Sequence, residues 1–97
     1  MIRHVVLAKF KTGYDAAEVR RLQDGFRALN CPGTVRYTVG SDAGLREGNW
    51  DFAIVADFED ADAFRGYDED AAHGELRSRL SLFVEQAARV QFEVPQS

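Results

Sequence analysis

The sequence predicts an α+β domain whose elements run β-α-β-β-α-β. Three observations carry this. Ile2 to Lys11 is rich in β-branched and large apolar residues and has no helical stripe. Behind it Val19, Leu22, Phe26 and Leu29 recur at helical spacing, with Arg20, Arg21, Gln23 and Asp24 between them. At the other end Val90, Phe92 and Val94 alternate with Gln91 and Glu93, the period of a strand.

The remaining elements fall between these. Asp15 followed by Glu18 opens the first helix, an aspartate variant of the capping box, and Asn30 with Pro32 ends it. Thr34 to Val39 reads as a second strand and Trp50 to Phe58 as a third, with Gly40, Gly44 and Gly48 in the polar connection. Asp60 caps a short helix carrying Phe64 and Tyr67. A longer helix then carries His73, Leu76, Leu80, Phe83 and Ala87 on one stripe, and Pro95 closes the last strand. The order is the split βαβ or ferredoxin-like arrangement, with its second helical region divided in two.

Composition narrows the function classes. Residues 1–97 make one domain, 45% hydrophobic and 29% charged, an ordinary globular balance. A net charge of −4 argues against nucleic acid and against a polybasic membrane contact. The one cysteine, Cys31, forms no intrachain disulfide, and the apolar run Val5 to Ala8 is too short for a signal core or a membrane span. A cytoplasmic location is the expectation. The histidines and carboxylates lack compact metal-ligand spacing, and no glycine-rich phosphate loop or dinucleotide fingerprint is present. No metal and no cofactor is expected. Cys31 beside Pro32 has no evident base to activate it.

Two strands are apolar on both sides, which is a quaternary argument. In the first, Ile2, His4, Val6, Ala8 and Phe10 share one face, while Val5 and Leu7 share the other with Arg3 and Lys9. In the third, Ala53 and Val55 lie on one face, and Phe52, Ile54, Ala56 and Phe58 on the other. The helices of so short a chain cover one face of a sheet. Each exposed Val, Leu, Ile or Phe forgoes roughly 1.5–3 kcal/mol relative to burial, so a second copy packed sheet to sheet is expected, a homodimer. The residues expected at that interface are Val5, Leu7, Phe52, Ile54 and Phe58, with Ala53 and Val55 turned toward the helices.

The opening Ile2-Arg3-His4-Val5-Val6-Leu7-Ala8-Lys9-Phe10-Lys11, the stretch Trp50 to Asp60, and then Phe64, Tyr67 and His73 resemble the stress-responsive dimeric α/β-barrel (Dabb) family, over Met1 to Val94. The resemblance implies a dimeric barrel of two sheets with the helices outside. The family holds plant stress-induced proteins, many bacterial members and a polyketide cyclase that works by aldol condensation. That cyclase has its pocket between sheet and helices and uses a histidine paired with a tyrosine. His4, Tyr67 and His73 match its pocket residues. Phe26 stands where it has a tyrosine, Asp51 and Asp70 where it has histidines, and Ala71 where a proline is usual.

His73 is the leading candidate for a catalytic base, with Tyr67 as its partner. Six positions apart, they would sit roughly 600° around one continuous helix, facing different ways. A new helix starting at Asp70 would let them converge, and would place His73 in a first turn whose dipole disfavours imidazolium. A neutral imidazole at pH 7 is a usable general base. Against this stands a histidine that fills a polar edge of the core, bonded to Tyr67. His4 can position a ligand or be a satisfied core histidine. Asp51, placed on the same side, can pair with His4, whereas Asp57 reads as a turn or cap residue. Val6, Phe26 and Leu80 would supply apolar contacts to a hydrophobic small-molecule ligand. The functional expectation is a cyclase-like enzyme on a polyketide-type carbonyl substrate. The alternatives are a non-catalytic stress-related or ligand-binding dimer and, more weakly, a haem-handling monooxygenase.

Overall fold

In the computed structural model, which describes residues 1–95, the chain runs β1 (Ile2–Phe10), α1 (Ala16–Arg27), β2 (Thr34–Ser41), β3 (Phe52–Phe58), α2 (Ala61–Glu69), α3 (Ala71–Ser81) and β4 (Val84–Glu93). The strands form one antiparallel sheet in the order β2-β3-β1-β4, a ferredoxin-like α+β fold. The helix starts are where the aspartates put them. The Asp15 carboxylate accepts from the Glu18 N–H, Asp60 from Ala63, and Asp70 from His73. No helix among the described residues is long and apolar enough to cross a membrane.

Register decides which side of the sheet is core. His4 pairs with Ala56, Val6 with Ile54 and Ala8 with Phe52, so these residues share a face. Their partners in the core are Val19, Leu22 and Phe26 of α1 and Leu80 of α3, with Tyr67 of α2 beside Ala56 and Phe58. The expected facing of β3 is therefore corrected. Phe52, Ile54 and Phe58 are buried under the helices, while Ala53 and Val55 lie on the open side with Val5 and Leu7. Alternation tells which residues share a face but not which face is covered. A one-residue slip exchanges the two.

Two further boundaries differ from expectation. The last helix stops at Ser81, and Ala87 belongs to β4, opposite Ala8. Ala87, Ala88 and Arg89 are good helix formers, but pairing along the whole length of β1 outweighs their local preference. Trp50 and Asp51 precede β3 rather than opening it. Asp57 is no cap: its carboxylate takes the Arg3 guanidinium at 2.7 and 3.0 Å on the open face of the sheet. Those hydrogen bonds hold it below the usual carboxylate range.

One glycine is required by both backbone and space. Gly33, at the entry to β2, has φ +83, and a Cβ there would lie 2.5 Å from the Cβ of Ala63. Only glycine allows α2 to sit this close over the turn.

Candidate functional site

Between the sheet and helices α2 and α3 is a cavity of about 210 Å³. β1 contributes His4 and Val6, α1 contributes Phe26, α2 Tyr67, and α3 His73 and Leu80. Six of the seven residues singled out from sequence thus line one space. Asp51 does not. Its carboxylate accepts from the Phe10 N–H at 2.8 Å and its own N–H donates to the Ala8 carbonyl at 3.0 Å, tying the chain ahead of β3 to the end of β1. His4 lies toward the opposite end of β1, facing Ala56, so the expected Asp51–His4 pair is absent.

His4 is 5% exposed and packs against Phe64 and Tyr67. The Gln91 amide nitrogen lies 2.8 Å from its Nδ1. An amide nitrogen only donates, so Nδ1 accepts and the neutral ring carries its proton on Nε2. Burial, then the neighbouring His73, lowers the His4 pKa to about 4. At pH 7 the ring is a neutral hydrogen-bond donor.

His73 sits in the first turn of α3, its backbone N–H capped by the Asp70 carboxylate at 3.0 Å. That cap creates the break between α2 and α3, because Asp70 is extended, with ψ 133, and ends one helix as it starts the next. The break brings the His73 ring onto the Tyr67 ring, 4.0 Å between centroids and 33° from parallel. Convergence was expected, but as a hydrogen bond. The contact is instead a tilted packing of one ring on the other, and the Tyr67 hydroxyl lies 2.6 Å from that of Tyr37. Burial pushes the Tyr67 pKa up to about 12, so the phenol keeps its proton. His73 is shifted down from its ordinary value by burial and then by Arg77, with Asp68 opposing. Its Nδ1 is fully buried and makes no close hydrogen bond among the described residues, although the Asp68 backbone acts on the ring as an acceptor.

Tyr37 and Gln91 were not singled out from sequence. Tyr37 could have been found, since it sits two residues before buried Val39 and so shares its face of β2. Gln91 looked like the solvent side of an amphipathic strand. In fact its neighbours Val90 and Phe92 lie on the open face, at 53% and 46% exposure, and the polar residue turns toward the cavity.

A larger, open hollow of about 540 Å³ lies on the other side of the sheet, lined by Leu7, Val55, Trp50 and Asp42 among others. It contains no histidine, and its floor is the apolar face that the helices leave uncovered. The smaller cavity is the one that gathers His4, Tyr67 and His73.

Comparisons with known proteins agree with the fold. No curated protein matches the chain. Among solved structures, a dimeric ferredoxin-like protein of unknown function from Thermobifida fusca YX superposes with a TM-score of 0.87 at 29% identity, covering 96% of this chain and 90% of that one. A hydroxynitrile lyase from Passiflora edulis superposes with a TM-score of 0.82 at 15% identity, covering 99% and 94%. SnoaB, a cofactor-independent oxygenase from Streptomyces nogalater, gives 0.71 at 20% identity, covering 99% and 94%. At such identities the two enzymes share the fold alone. The stress responsive A/B barrel domain (Dabb) matches residues 2–94, nearly the whole chain, and the chain therefore belongs to that family.

Proposed function

We propose that the protein is a homodimer whose sheet-to-helix pocket binds a small apolar carbonyl compound and removes a proton from the carbon next to its carbonyl. The observation that carries this reading is the pairing of two buried, downshifted imidazoles on one apolar cavity. Gln91 fixes the donor proton of the His4 ring, and the His73 ring lines the same space with its Nδ1 buried, so that Nε2 is the nitrogen left to act on a ligand. His73 takes the proton as general base. His4 Nε2–H donates to the carbonyl oxygen as it becomes an enolate. With a second carbonyl in the same molecule, attack by the enolate carbon forms a carbon–carbon bond and returns the proton to the new alkoxide. That sequence is a cyclase-like aldol closure on a polyketide-type substrate. Tyr67 supports the base by its ring contact, and Val6, Phe26 and Leu80 hold the apolar body of the ligand. Dimerisation follows from the open apolar face of Val5, Leu7, Val55, Val90 and Phe92, and the dimeric ferredoxin-like relatives support it.

A second reading, binding without catalysis, is favoured by one observation: the Tyr67 hydroxyl is engaged by Tyr37 and not aimed at His73. Hydrogen–deuterium exchange at the methyl group of acetophenone, followed by NMR in D2O, separates the two. Catalysis predicts exchange faster than buffer, lowered in His73→Ala by roughly 10²–10⁴-fold. Binding of the ketone without accelerated exchange would leave a binding protein.

A further inference from the structure

The mouth of the pocket carries charge that proton abstraction does not use. Arg89 stands on β4 opposite Val6, on the side of the sheet that meets the helices, and lines the opening. Arg77 reaches the opening from α3, where it is tied to the Asp68 carboxylate at 3.2 Å. Asp68 is the one carboxylate among the described residues lining this cavity, and Arg77 occupies it. Arg89 makes no salt bridge among the described residues.

Behind these guanidinium groups the walls are apolar, from Val6, Phe26 and Leu80, with the His4 and His73 rings among them. A lone exposed arginine needs no explanation. Two arginines at the entrance of one apolar cavity that also holds two imidazole rings set two requirements on an occupant. It needs an anionic end at the mouth and a polar group deeper in. The chain as a whole has a net charge of −4, so this opening runs against the overall sign. A planar guanidinium matches a carboxylate with two parallel hydrogen bonds. The cavity, about 210 Å³, lies below the ~300–1,000 Å³ of pockets for drug-sized molecules, which limits the body of the ligand to one or two rings.

We infer that the pocket takes a small organic carboxylate: its ring or short chain fills the apolar space, and its carboxylate is held at the mouth by Arg89 with Arg77 alongside. This rests on the ligand-binding reading above and adds the chemical class of the ligand. The same arrangement orients the molecule, because an anchored carboxylate turns the other end toward His4 and His73.

The test is isothermal titration calorimetry of the full chain, at low salt, with 1-naphthoate and its neutral counterpart 1-naphthamide. The wild type should bind naphthoate about tenfold or more tightly than naphthamide, as charge-assisted hydrogen bonds require. Arg89→Gln should remove that preference by weakening naphthoate far more than naphthamide, and leave the melting temperature near wild type, since Arg89 is exposed. Equal affinity of the two compounds for the wild type, or a preference that survives Arg89→Gln, overturns the carboxylate assignment and leaves the pocket reading standing. Binding of neither compound overturns both.

Discussion

The rings of Tyr67 and His73 lie against each other, 4.0 Å between centroids, across the break that separates α2 from α3. Each ring is anchored from a different side. Tyr67 is fixed by its hydroxyl contact with Tyr37 on β2, and His73 by the Asp70 cap on its backbone. Both rings are therefore held by residues that do not themselves line the cavity.

Removing the hydroxyl should show this. In Tyr67→Phe the ring contact with His73 remains, but the Tyr37 hydroxyl loses its partner. A buried polar group left unpaired costs about 1–3 kcal/mol, and half-buried Tyr37 should show the lower end of that range. Urea denaturation should show that loss, while ketone exchange by the folded protein stays within a few-fold of wild type. A large fall in exchange without a change in stability would instead make the Tyr67 hydroxyl part of the chemistry.

The cap at Asp70 makes a separate prediction. Asp70→Ala removes the acceptor for the His73 N–H and should cost about 0.5–2 kcal/mol, whereas Asp70→Asn should retain most of the stability. If α2 and α3 fuse into one helix in the alanine variant, the two rings separate, and the change will be visible in the histidine NMR signals.

How far the sequence revealed this site depends on the type of signal. Helix starts were legible because Asp15, Asp60 and Asp70 cap by local geometry, three residues from their targets. The cavity group of His4, Val6, Phe26, Tyr67, His73 and Leu80 was legible because strand and helix periodicity, with the family likeness, point them inward. What depended on long-range register was not legible. The side on which Ile54 lies, the Asp51 clamp on Phe10 and the turn of Gln91 toward His4 all follow from pairings between distant segments. Ala87 was misplaced because its helix propensity is a local property and its strand pairing is not.

The corrected register changes the interface prediction. Leu7→Asp puts a charge on the open apolar face, where Leu7 is 44% exposed. It should yield a folded monomer by sedimentation velocity and circular dichroism. Ile54→Asp buries a charge under the helices and should unfold the chain rather than merely separate the copies. A dimer that survives Leu7→Asp unchanged would move the interface elsewhere.

Acid should destabilise the protein through its buried histidines. The His4 pKa is about 4 in the folded state against an ordinary 6.5, so between those values the unfolded chain binds more protons. Stability is then fully present above pH 6.5 and is lost as pH falls toward 4, by about 3 kcal/mol at most from this group. His73, also shifted down, acts with the same sign. Urea midpoints taken from pH 7.5 to 4.5 should fall for the wild type and fall less for His4→Gln. Parallel curves would mean that His4 is not buried as a neutral ring.

The last prediction turns on Gln91, because it sets which nitrogen of His4 carries the proton. Its amide donates to Nδ1, leaving Nε2–H as the donor. A glutamate in its place reverses the bond. The carboxylate accepts from Nδ1–H, so the neutral ring must present a bare Nε2, and the adjacent negative charge raises the His4 pKa. The proposed oxyanion donor is then lost at high pH, although every residue lining the cavity is intact. Gln91→Glu should therefore fold with nearly wild-type stability and bind naphthamide, since Gln91 is exposed apart from this one bond. Its acetophenone exchange should fall by roughly 10²-fold, the cost of removing one oxyanion donor. Histidine ¹⁵N spectra give a readout independent of turnover: the His4 proton should move from Nε2 to Nδ1. If the tautomer switches and exchange is unaffected, His4 is not the donor and the proposed chemistry must do without it.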